Sequence, residues 1–142
     1  MADLQRKADA EWHGNLREGH GTITATSGIF KDVPYSFATR FENAHGTNPE
    51  ELIAAAHAAC YSMALSNLLS GKGHQVHHIH TQATVTLGGT PPRISKIHLD
   101  TRGKVEDIDA GTFQPTADDA KRTGPVSVAL SAVTIDLTAT LE

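Results

Sequence analysis

The segment NPEELIAAAHAACYSMALSNLLSG, from Asn48 to Gly71, constrains this chain more than any other. Asn48 can cap a helix, Pro49 suits its first position, and Glu51 falls three residues after the cap. These signals predict a helix from Pro49 to Ser70, stopped at Gly71 and about 33 Å long at ~1.5 Å per residue. Leu52, Ile53, Ala55, Ala56, Ala59, Cys60, Met63, Ala64, Leu68 and Leu69 spread around its circumference instead of forming one stripe. Such a helix needs cover on several sides. The alanines also let another backbone approach closely, so a central helix packed at a subunit interface is expected.

The 142 residues suffice for one domain, residues 1–142, with a modest core. Twelve basic and 16 acidic residues are well mixed along the chain. They form neither a nucleic-acid stripe nor an acidic tail, which points to a small molecule or another protein as partner. No uninterrupted run of about 18 apolar residues offers a membrane span. A lone cysteine excludes an intrachain disulfide, and Met1–Trp12 lacks the apolar core of a signal peptide, so a cytoplasmic location is expected.

Before the helix, Lys7–Trp12 and Gly21–Thr26 read as a hairpin joined through Gly14–Gly19, with a third strand over Pro34–Arg40. After it, His77, Ile79, Thr81, Ala83, Val85 and Leu87 alternate with more polar residues in a strand pattern. Gly88, Gly89, Pro91 and Pro92 turn the chain into a strand over Ile94–Thr101. A helix is predicted over Thr112–Arg122, with Pro115 tolerated in its first turn. A short helix over Pro125–Leu130 and a strand over Val133–Leu141 complete a β-β-β-α-β-β-α-α-β order, an α+β domain.

Cys60 is either a small buried hydrophobe or a nucleophile. A thiol is largely protonated at neutral pH, so a reactive one needs help. The helix dipole does not supply it, because Cys60 lies well beyond the first turn. A nearby cation in a partly dry pocket would, since one charge at ~4 Å is worth ~1 kcal/mol in water but ~4 kcal/mol at an effective dielectric near 20. His57 and Arg40 are the candidates. Glu50 stands about 15 Å from Cys60 along the helix, so a shared site requires a second copy of the chain or action through Arg40.

The segments PYSFATRFENAHGTNPEELIAAAHAACYSMAL and TGPVSVAL, with the strand spacing between them, closely resemble the OsmC/Ohr family of osmotically inducible and organic hydroperoxide resistance proteins, in its OsmC branch. That resemblance implies an intertwined homodimer, antiparallel β-sheets packed around long central helices, and a site at the subunit interface. It implies a cysteine-based peroxidase acting on organic hydroperoxides and less well on hydrogen peroxide. By motif, Cys60 matches the peroxidatic cysteine, Arg40 the activating arginine, and Glu50 the glutamate that holds it.

The chain departs from the family where a resolving cysteine precedes Pro-Val-Ser, because that position is Gly124. Turnover would then depend on an external thiol or dithiol, with no resident cofactor. An alternative is a catalytically impaired dimeric stress or small-ligand-binding protein. A third reading considers metal at His74, His77, His78, His80 and His98, but no familiar ligand spacing is completed, and no metal site is assigned.

Overall fold

A computed structural model describes residues 1–142, which divide into two compact units, Met1–Glu51 and Leu52–Glu142. In the first, β1 (Ala8–His13), β2 (His20–Ala25) and β3 (Val33–Tyr35) form an antiparallel sheet in that order. Gly21 is required where the rings of Trp12 and Tyr35 close over β2. A Cβ at Gly21 would lie 2.5 Å from the Tyr35 ring and 2.7 Å from that of Trp12.

The expected third strand ends early. Beyond β3 the chain forms α1 (Phe37–Phe41), so Arg40 stands on a helix and not at a strand end. The cause is local: Ser36 and Thr39 exchange side-chain to backbone hydrogen bonds in a capping box, which satisfies amides that a strand would otherwise pair.

Helix α2 (Pro49–Gly71) follows the predicted span, and the Asn48 carboxamide accepts from the Glu51 amide at 2.8 Å. Glu51 does not close a capping box; its carboxylate accepts from the Thr47 hydroxyl at 2.7 Å instead. By length and composition α2 would also cross a bilayer. Within Leu52–Glu142, however, its Tyr61, Leu65 and Leu69 are fully buried against Ile97, Leu99, Phe113, Ala117 and Ala120. Burying a leucine of this kind contributes roughly 1.5–3 kcal/mol.

Strands β4 (Val76–Gly88) and β5 (Arg93–Val105) pair antiparallel, and β6 (Thr134–Leu141) adds to β5. The β5–β6 pair departs from the all-antiparallel expectation: it is parallel, because α3 (Ala110–Thr123) and α4 (Pro125–Ala129) carry the chain back across. Helix α3 starts before its predicted first residue, capped by Asp109. Pro115 consequently falls beyond the first turn, leaving the exposed Gly111 carbonyl without the helical bond that an amide at position 115 would give.

Candidate active site

In Met1–Glu51 the capping box turns the chain so that α1 presents Arg40 to the start of α2. Arg40 Nε and Nη2 donate to the two Glu50 carboxylate oxygens at 3.1 and 2.9 Å, a bidentate pair. Asn48 reinforces the geometry by donating to the Thr39 carbonyl at 2.9 Å, tying the start of α2 to α1. Glu50 is buried and the Arg40 side chain about a third exposed. Glu50 is therefore an anchor for a guanidinium, beyond the dipole compensation its first-turn position supplies.

The same arginine lines an aromatic pocket of about 270 Å³ with Trp12, Leu16, Tyr35, Phe37 and Phe41. The guanidinium carbon of Arg40 lies 5.2 Å from the Phe41 ring centroid, and that of Arg17 lies 4.7 Å from the centroid of Phe37. Sequence reading missed this pocket, because its members come from a hairpin and a helix that local patterns do not connect.

Cys60 and Gly124 belong to Leu52–Glu142. Cys60 is half-buried on α2. Gly124 ends α3 and precedes Pro125 of α4, with an ordinary backbone φ of −61°. A Cβ there would lie 3.6 Å from the Ala64 Cβ, 3.1 Å from the Ala120 carbonyl and 3.9 Å from the Ser127 hydroxyl. Ala64 is one helical turn beyond Cys60, so position 124 packs on the part of α2 that follows the thiol.

His57 is not the cation that a thiolate needs. It is fully buried, its Nε2 lies 2.7 Å from Ser127 Oγ, and burial pushes its pKa below the ordinary value. Its Nδ1 has no hydrogen-bond partner. The ring is neutral at neutral pH and bonded to a serine that sequence reading did not single out. Their separation of 70 residues leaves no local signal.

The other histidines disperse. His77 pairs with Glu106 at 2.9 Å, His98 with Asp136, and the exposed His78 and His80 stand opposite Lys104 and Arg102 across β4 and β5. The His98 contact, followed by Lys96, holds the Asp136 carboxyl below its ordinary pKa. No three metal-ligating side chains gather.

The family model described as OsmC-like protein matches residues 42–138. The peroxiredoxin OsmC of Escherichia coli strain K12 is 45% identical over 136 residues, covering 94% of this chain and 95% of the relative. Among solved structures, the organic hydroperoxide resistance protein OhrB of Bacillus subtilis is 25% identical, with a TM-score of 0.62 over 96% of this chain and 98% of its own. A Legionella pneumophila OsmC structure shares the fold at 22% identity, with a TM-score of 0.65 over 99% of each chain. With the family model covering more than half of its length and a relative aligned almost end to end, this chain belongs to the OsmC-like protein family.

Proposed function

We propose that this chain is a thiol peroxidase that reduces organic hydroperoxides through Cys60, assisted by Arg40 and Glu50. The observation that carries the reading is the bidentate Arg40–Glu50 pair on the wall of an aromatic pocket. An immobilised guanidinium stabilises developing negative charge, and an aromatic pocket accepts the organic part of a hydroperoxide, which hydrogen peroxide lacks. The relative named a peroxiredoxin, at 45% identity, supports the same reading.

In this mechanism the Cys60 thiolate attacks the distal oxygen of the hydroperoxide. The S–O bond forms as the O–O bond breaks, the alkoxide takes a proton and leaves as an alcohol, and Cys60 becomes a sulfenic acid. Arg40 stabilises the attacking thiolate and the charge growing on the leaving oxygen, while Glu50 fixes the guanidinium. With glycine at 124, an external dithiol attacks the sulfenic sulfur and releases water. Its second thiol then displaces Cys60 as the dithiol closes into a disulfide.

The proposed working state is a homodimer in the cytoplasm, where reducing thiols abound. Helix α2 supports the dimer, since Ala55, Ala56, Ala59 and Met63 are left exposed on it, Met63 by 74%. An uncovered apolar face on a long helix favours a second copy as its cover.

Cumene hydroperoxide and a small dithiol test the reading. Turnover and a reversible Cys60 sulfenic acid are expected, both lost in Cys60→Ser. Equal turnover in that variant would sink the proposal. The aromatic pocket also suits a second reading, a non-catalytic dimeric stress or ligand-binding protein, which an inert Cys60 together with retention of cumyl alcohol would favour.

A further inference from the structure

Cys60 sits between two buried polar tethers. On its N-terminal side, the His57 ring meets Ser127 of α4 at 2.7 Å, with His57 0% and Ser127 4% exposed. On its C-terminal side, the Tyr61 hydroxyl donates to the Ala117 carbonyl of α3 at 2.9 Å, with Tyr61 1% exposed. Within Leu52–Glu142, no residue of α2 before His57 is fully buried. Within that unit, the His57–Ser127 bond is thus the buried polar tether of α2 that precedes the thiol.

The state of the imidazole restricts what it does there. A neutral ring has one N–H, and the serine hydroxyl has one O–H. If Nε2–H donates to Ser127, Nδ1 keeps a bare lone pair; if Ser127 donates, Nδ1–H stands unpaired. In both arrangements Nδ1, the one buried side-chain nitrogen or oxygen without a partner, makes no bond to Cys60. A side chain that is neutral and unbonded to sulfur neither charges nor deprotonates the thiol. What remains is mechanical: it holds α2 against α4 one turn before Cys60, beside position 124, whose Cβ would lie 3.9 Å from Ser127 Oγ.

We infer that His57 is a positioning residue, which through Ser127 fixes the turn of α2 that presents Cys60 to hydroperoxide. The peroxide arm of this inference rests on the peroxidase reading; the position of the thiol does not. Cutting the tether leaves the sulfur in place but lets its turn fluctuate. Attack that requires alignment slows, whereas capture by a small neutral alkylating agent speeds up.

The experiment uses the full-length protein with Ser127→Ala, His57→Ala, the double variant and His57→Gln, whose amide nitrogen stands in for Nε2. Two rates are measured well below each variant's melting temperature: kcat/KM for cumene hydroperoxide, and the second-order rate of Cys60 alkylation by iodoacetamide. Ser127→Ala removes one hydroxyl and is the variant that keeps the test decisive if His57→Ala does not fold. Expected are a fall of about 10-fold or more in kcat/KM and a rise of about threefold in alkylation for Ser127→Ala, no further change in the double variant, and recovery in His57→Gln. Wild-type rates of alkylation in Ser127→Ala, or losses that add in the double variant, overturn the inference. If the wild type shows no peroxidase turnover, the function reading fails, and the alkylation rates alone decide the role of His57.

Discussion

Arg40 and Glu50 are joined by two hydrogen bonds, 3.1 and 2.9 Å long, between a helix that the capping box creates and the first turn of the helix that carries Cys60. Two parallel bonds fix the plane of the guanidinium as well as its place. Lysine keeps the charge but not this geometry. Arg40→Lys is therefore expected to lower kcat/KM for organic hydroperoxide about 10²-fold, the scale of losing one preorganised donor. Glu50→Gln should lower it by less, about 10-fold, and the double variant should resemble Arg40→Lys alone because Glu50 acts through the arginine. Losses that multiply would show that Glu50 has an independent task.

The aromatic pocket predicts selectivity. Phe37 lines it and meets Phe41 in a tilted ring pair at a centroid distance of 5.0 Å, so Phe37→Ala enlarges the pocket and removes one apolar wall. The ratio of kcat/KM for cumene hydroperoxide over hydrogen peroxide should fall about 10-fold, with the hydrogen peroxide value little changed. Parallel loss on both substrates would mean that the pocket does not hold the organic group.

Stability should depend on pH through His57. Burial holds its folded-state pKa below the ordinary 6.5. As pH falls below that value the unfolded chain takes up a proton that the folded protein refuses, so the stabilisation is complete above about pH 6.5 and is lost toward the lowered folded value. The slope of this component approaches about 1.4 kcal/mol per pH unit. Urea unfolding at pH 7.0 and pH 5.5 should show a steeper loss in the wild type than in His57→Gln. Identical pH dependence would mean that His57 titrates freely when folded.

Gly124 tests the seam between α2 and α4. Its backbone conformation suits a cysteine, but a new Cβ meets the Ala120 carbonyl at 3.1 Å. Gly124→Cys should thus cost about 1 kcal/mol of stability. Position 124 packs on Ala64, one turn beyond Cys60, and the prediction is that a cysteine there reaches Cys60 after side-chain adjustment. One equivalent of hydroperoxide should remove both titratable thiols and raise turnover with dithiol. Thiols that stay free after peroxide would place the new sulfur out of reach of Cys60.

Where the sequence carries a local cause, it can be read. Asn48, Pro49 and the apolar run after them define α2 within a residue or so, and the alternation of Ile79, Thr81, Ala83, Val85 and Leu87 marks β4. Where two local signals compete, reading fails. Val33–Tyr35 forms a strand, but Ser36 and Thr39 capture backbone amides in a capping box and end it, which moves Arg40 onto a helix. The parallel β5–β6 pairing was hidden for a different reason, since strand direction depends on the path of α3 and α4, and periodicity is blind to it.

Taken alone, the sequence carried most of the α+β elements and the full span of one long helix, because each is written in local periodicity and capping along a single stretch, and its motifs around Cys60 carried the resemblance to the family. Tertiary structure decided which groups touch. It closed Arg40 on Glu50 across ten residues and His57 on Ser127 across 70. The physical reason is that hydrogen bonds between side chains are set by the burial and packing of whole elements, which fix positions in space that no local pattern encodes.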